Sequence, residues 1–130
     1  MSLICTVVSG SAAAQRYPDK PIRLVVGSAP GGGNDFVARV INAKFSDLLG
    51  KQVIIDNRGG AGGLLATEIV AHAPADGYTL LQMFSNFAIL PSLHAKLSFN
   101  VEKDFAPIVN VASTPLILIV HPGVQAQSVQ

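Results

Sequence analysis

The chain has 130 residues, 49% hydrophobic and 13% charged, which is the length of one ordinary domain and a composition that supports a buried core and excludes a disordered chain. Nine basic and eight acidic residues leave a formal net charge of +1 with the signs mixed along the chain, so there is no electrostatic footprint for nucleic acid or an anionic membrane surface. The lone cysteine, Cys5, excludes an intramolecular disulfide and a multi-cysteine zinc site.

In chain order, Leu3, Ile4, Val7 and Val8 form a short apolar run that ends in small residues up to Ala14. This is the pattern of the tail of a secretory signal, with Ala12 and Ala14 before the cleavage point and Gln15 as the mature start, although the basic n-region is missing. The run is too short to span a bilayer. Residues 1–14 are therefore expected to be a signal-peptide remnant that takes Cys5 with it, and the mature protein is expected to be exported.

Pro18 and Pro21 introduce Ile22 to Val26, short and rich in β-branched residues, which predicts a buried strand. A Gly-rich turn follows. From Asp35 onward Phe36, Val37, Val40, Ile41, Phe45, Leu48 and Leu49 recur at helical spacing, with Arg39, Lys44 and Asp47 opposite, predicting a helix with one apolar face stopped at Gly50. Val53 to Ile55 predict a second strand, and the loop from Asn57 to Gly63 leads into a second helix through Leu64, Leu65, Ile69 and Val70, ended by Pro74. Asp76 and Gly77 form a turn before a third strand, Tyr78 to Phe84.

The order β, α, β, α, β predicts an α/β fold with a largely parallel sheet flanked by helices and right-handed crossovers. Ser85 to Leu93 reads as a loop and a helical turn. Asp104 to Ala112 and Leu116 to Val120 predict two more strands, separated by Ser113, Thr114 and Pro115. Ser128 has the character of an N-cap for a helix that the two residues after it cannot supply, so the expectation is an incomplete unit.

The sharpest chemical feature is Pro30, Gly31, Gly32, Gly33, Asn34, Asp35, set between a buried strand and the first turn of a helix. Glycines turn the backbone tightly, amide N–H groups at a helix start lack intrahelical partners, and the helix dipole adds partial positive charge, so the loop suits an anion. The carboxyl ends of strands are also where open α/β sheets bind ligands. The alternative is purely structural: a chain-turning loop with Asn34 as N-cap and Asp35 as a first-turn acid complementing the dipole.

Nucleotide signatures fail, because a P-loop needs Lys and then Ser or Thr where Asn34 and Asp35 stand, and a dinucleotide fingerprint needs glycine where Phe36 and Leu65 stand. The loop from Arg58 to Gly63 has similar anion-binding potential, with Arg58 either a carboxylate clamp or a solvated arginine beside a close-packing turn. Ser85 and Asn86 follow the third strand at the same edge of the sheet, as donors to a polar ligand or as ordinary loop residues. His72, His94 and His121 lack metal-ligand spacing, and no Gly-x-Ser-x-Gly elbow or paired nucleophile and base is present. No catalytic residue, metal ligand or cofactor site is assigned, and the chain is not read as an enzyme.

Several ordered motifs then carry a family resemblance: Tyr17, Pro18, Lys20 to Arg23, the Pro30 to Asp35 loop, Asn57, Arg58 and Gly60 to Gly63, Ala75 to Leu80, Lys103 to Pro107, and His121 with Pro122. From Tyr17 to Gln130 the pattern resembles the N-terminal half of the Bug family, TctC-like extracytoplasmic solute receptors of tripartite tricarboxylate transporters. The resemblance implies a type II periplasmic binding-protein fold, in which two α/β domains close on a carboxylated ligand and deliver it to membrane permease subunits, with no cofactor and no nucleic acid.

It also implies domain one over residues 15–112 and, over 113–130, a hinge crossing and the start of a truncated second domain. Ser28, Ala29 and Pro30 to Asp35 inherit the ligand-facing loop, its backbone amides and bound water contacting a carboxylate, and Ser85 and Asn86 a second loop lining the cleft. Two departures stand out: Ser28 occupies a place where an aromatic residue is usual, and Gly59 replaces a frequent proline. Competing readings are a nucleotide- or phosphate-binding domain of a doubly wound α/β enzyme, and a non-functional truncated remnant.

Overall fold

The computed structural model describes residues 17–115 and 117–124, so the expected signal remnant at 1–14, Leu116 and Ser128 lie outside the described residues. Three parallel strands, β1 (Ile22–Val26), β2 (Val53–Asn57) and β3 (Thr79–Gln82), pair in the order β2-β1-β3. Helix α1 (Gly33–Leu49) joins β1 to β2, and α2 (Leu64–Ala71), entered through a 3-10 turn at Ala61–Gly63, joins β2 to β3. The chain steps outward from β1 to β2 and then back past β1 to β3, so right-handed crossovers place the two helices on opposite faces. The α/β architecture expected from the sequence is the one observed.

The central strand explains its own composition. Ile22, Leu24 and Val26 face α1 and pack with Ala38 and Val53, closed by Phe45, Leu49 and Ile55, while Val25 alternates to the other face and is equally buried. Small residues let α2 come close to its side of the sheet: Ala66 and Thr67 are fully buried, and the Thr67 hydroxyl donates back to the Gly63 carbonyl at 2.9 Å. At the amino end of the sheet the Tyr17 hydroxyl donates to the Gly77 carbonyl, and the Tyr78 hydroxyl donates to Asp19 while accepting from the Asp19 amide. These bonds tie the chain entering β1 to the turn entering β3.

The helix α1 corrects one expectation. Its apolar residues do not share a single buried face: Val37, Ile41, Phe45 and Leu49 are half-buried, whereas Phe36, Val40 and Leu48 are 68%, 64% and 73% exposed. Residues 36, 40 and 48 lie one and two turns apart and form a separate outer stripe. The deepest positions of the helix are instead Asn34, Asp35 and Ala38. Its end is as expected, with Gly50 at φ 64° donating its amide to the Asp47 carbonyl.

Beyond β3 come a 3-10 turn at Ser85–Ile89 and the short helix α3 (Leu90–Leu93). The two further strands expected at Asp104 to Ala112 and Leu116 to Val120 are not formed: residues 105–115 and 117–121 carry no helix or strand, and Ile108 and Ile119 are 76% and 84% exposed. The β-branched runs have the right composition, but a strand exists only as one side of a ladder, and among the described residues neither segment has a partner.

Candidate functional site

The carboxyl ends of β1, β2 and β3 converge, and the loops leaving them interlock. Strand order reverses between β1 and β3, the position at which open α/β sheets generally bind ligands. The loop after β2 locks onto the first: the Asn57 amide donates to the Ser28 carbonyl at 3.3 Å, and a Cβ on Gly59 would meet the Ala29 nitrogen at 2.8 Å, closer than real Cβ atoms come to backbone. The loop after β3 locks onto the second, where the Asn86 amide donates to the Gly62 carbonyl. Met83 wedges beneath both, its thioether filling the space a side chain at Gly27 or Gly63 would need.

At the first loop, the structure shows which amides remain free. The Gly31 amide donates to Asp35 Oδ2 at 2.8 Å and the Gly32 amide to the Ala29 carbonyl at 3.1 Å, so both are spent within the loop. The first helical bond of α1 runs from the Phe36 amide to the Gly32 carbonyl at 2.9 Å. The amides of Gly33, Asn34 and Asp35 precede it, have no partner in the helix, and carry the positive end of its dipole. The amides left without a partner are therefore those of Gly33 to Asp35, a narrower set than the whole Gly-rich stretch.

The helix cap also differs from expectation. Gly32 is the N-cap, and Asn34, two residues into the helix, turns its side chain inward toward the Gln82 carbonyl rather than capping the helix. Asp35 is the first-turn acid that was expected, but it is only 2% exposed and reaches back to the Gly31 amide, close to a capping box in its geometry. Its Oδ2 also accepts from Arg39 Nε at 2.9 Å. The Arg39 guanidinium, then the Gly31 amide, hold the Asp35 carboxyl down at about 2, so it is charged at neutral pH and paired.

Of the sequence-nominated residues, Ser28 to Asp35 form the continuous stretch that leaves β1 and enters α1, and Ser85 and Asn86 begin the 3-10 turn that follows β3. Phe84 lies against the first stretch, since a Cβ on Gly33 would lie 3.2 Å from its ring. Among the described residues, five buried side-chain oxygens lack a hydrogen-bond partner, and four of them, Ser28 Oγ, Asp35 Oδ1, Gln82 Oε1 and Asn86 Oδ1, sit around these loops. This edge is where the chain sets polar groups aside from its own internal bonding.

Arg58 takes the bland alternative. Its Nε donates to Asp56 Oδ1 at 2.9 Å while Arg23 Nε donates to Oδ2 at 2.8 Å, so it is folded back on β2. Burial pushes the Asp56 carboxyl up, but bonds from Arg23 and Arg58 outweigh it and hold the group below its usual value. The part played by the second loop was missed from sequence. Its glycines signal a close backbone approach, but which backbone they approach depends on the parallel pairing of β1 and β2. His72 binds the Glu68 carbonyl of its own helix, and among the described residues no three His, Cys, Asp or Glu side chains cluster as a metal site. No described helix is long and apolar enough to cross a membrane.

Comparison with known proteins agrees with this fold. Residues 37–130 match the profile of the tripartite tricarboxylate transporter family receptor. The chain is 37% identical to protein BugT of Bordetella pertussis over 123 residues, covering 93% of this chain and 38% of that protein. Among solved structures, the periplasmic binding protein BugD is 40% identical, with a TM-score of 0.68 over 71% of this chain and 31% of BugD. MatC from Rhodopseudomonas palustris, solved with bound malate, is also 40% identical, with a TM-score of 0.59 over 70% of this chain and 31% of MatC. The parallel helix-flanked sheet is thus that of a periplasmic binding protein, and the chain spans little more than a third of the length of the curated relatives it matches.

Proposed function

The chain belongs to the tripartite tricarboxylate transporter receptor family, and from that premise we propose that it forms one jaw of a solute-binding cleft that captures a small carboxylated organic acid. The observation that carries this reading is that three amides, on Gly33, Asn34 and Asp35, make no hydrogen bond within the loop or the helix and stand at the positive end of a 17-residue helix, beside the point where strand order reverses. A carboxylate seated there accepts from backbone donors already held in place, so little ordering is needed on binding.

Ser28 to Asp35 supply the loop, and Ser85 and Asn86 face it from the end of β3. Malate in MatC, 40% identical to this chain, supports a small carboxylic acid as the ligand class. On this reading residues 15–112 are domain one and 113–130 the hinge crossing and the start of a second domain. The protein acts in the periplasm after export by a signal at its amino end, transforms nothing, and passes its ligand to the permease subunits of a tripartite transporter.

The reading is tested by following backbone amide resonances of the chain while malate is added to roughly ten millimolar, well into the range where weak binding saturates. Saturable shifts centred on Gly33, Asn34 and Asp35, with no response to ATP, are expected. Shifts caused by ATP and not by malate would replace this reading with a nucleotide site.

A further inference from the structure

Two buried primary amides fasten the first turn of α1 to the end of β3. Gln82, the last residue of β3 and 7% exposed, donates from Nε2 to the Asn34 carbonyl at 2.9 Å. Asn34, 3% exposed, returns the contact with Nδ2 3.5 Å from the Gln82 carbonyl, which also accepts from the Gly27 amide at 3.1 Å. Gln82 is paired in register with Val26, and its strand neighbour on the same face, Leu80, is paired with Leu24, so the surroundings of this face are apolar.

Burying an amide in such a layer is unfavourable unless it is bonded. Because both bonds here run from a side-chain amide to a backbone carbonyl, replacing the two side chains by apolar ones removes only the donors. The Gln82 carbonyl keeps the Gly27 amide and the Asn34 carbonyl keeps its place in the helix, a change of small cost. Stability alone therefore does not call for amides here. What the reciprocal pair supplies, and apolar packing does not, is a directional register between the helix N-terminus and the strand end that launches the Phe84 to Asn86 loop. The clasp sits on the switch point itself, and Gly33, next to Asn34, lies against the Phe84 ring.

We infer that Gln82 and Asn34 are a positioning pair that holds the Gly33 to Asp35 amides and the Ser85–Asn86 loop as one surface, an inference that rests on the carboxylate-site reading for its purpose but not for its test. Neither side chain needs to touch the ligand for this role. Its effect is on where the donors point, and small displacements of positioned groups change recognition strongly.

The experiment uses the full chain with the double substitution Asn34→Leu and Gln82→Met, and Gln82→Asn as a shorter amide should the double variant fail to fold. Three quantities are read: the urea midpoint, the nuclear Overhauser contact between the Gly33 α-protons and the Phe84 ring without ligand, and the malate dependence of the Gly33 to Asp35 amide shifts. The urea midpoint is expected to stay near that of the parent, the Gly33–Phe84 contact to vanish, and the malate response to weaken roughly tenfold or more. A retained contact with unchanged malate response overturns the inference, as does a fall in urea midpoint with the contact intact, which marks a merely structural pair. If the parent chain shows no malate response, the carboxylate reading falls, and the Gly33–Phe84 contact still decides whether the pair sets the register.

Discussion

Asp35 is a full negative charge placed at the positive end of α1, the point where an anionic ligand is proposed to bind. Its pairing with Arg39 resolves the conflict, because the guanidinium at 2.9 Å cancels the charge while the carboxylate orders the loop through the Gly31 amide. The folded-state value of about 2 lies below the ordinary 3.8, so the group contributes stability that is complete above about pH 4 and is lost as pH falls through 2. Asp35→Asn should remove that dependence, flattening the loss of stability between pH 4 and pH 2 in urea titrations, while the parent chain steepens there; equal slopes would show that the Asp35 charge is not coupled to folding. The first-turn acid at Asp35 was legible in the sequence; its pairing with Arg39 was not read there, although a four-residue spacing on a helix brings two side chains together. The role of Asn34 was not legible, because its partner Gln82 is 48 positions away and is reached only once β3 lies beside β1. Gly59 and Ser28, the two departures from the family pattern, are likewise neighbours in space, with the position of a Gly59 Cβ 3.1 Å from the Ser28 carbonyl carbon. Sequence separation hid that as well.

The elements of the sheet and its two crossover helices were legible because each is marked locally, by β-branched runs, by 3.6-residue spacing and by glycines at the stops. What periodicity could not supply was which part of an over-wide apolar stripe meets the sheet. On α1 the stripe divides: Ala38, Ile41, Phe45 and Leu49 turn inward and Phe36, Val40 and Leu48 outward. The division predicts opposite outcomes for similar changes. Leu48→Gln should alter the urea midpoint by no more than about 0.5 kcal/mol equivalent, as expected of a surface substitution. Ile41→Ala, on the inward side, should be clearly destabilising, toward the lower end of the roughly 2–5 kcal/mol seen for buried Ile to Ala changes, since Ile41 is half-buried. Comparable losses for both would return α1 to the single buried face that its spacing suggests. The segments 104–112 and 117–120, which form no strand, follow the same logic, since β propensity is a property of a segment whereas pairing is a property of two.

At the scale of the whole molecule, the proposed jaw presents donors from one side only. Ligand sites that bind small molecules tightly enclose most of the ligand surface, and the proposed contacts of Ser28 to Asp35 with Ser85 and Asn86 would cover a ligand on one side only. The relatives matched by this chain are about two and a half times its length, and in a two-domain receptor closure of the second wall supplies further contacts and excludes water. Electrostatic attraction of a ligand that stays solvated on its outer side is weak compared with the same attraction in an enclosed site, because the local dielectric stays near that of water. The chain by itself should accordingly bind malate in the millimolar range, corresponding to about 4 kcal/mol, whatever the affinity of a receptor with both walls. Isothermal calorimetry on the monomeric chain checks this. A dissociation constant in the nanomolar to low-micromolar range would mean that the Gly33 to Asp35 amides and their neighbouring loops form a complete site within a single domain, and the requirement for a second wall would have to be abandoned.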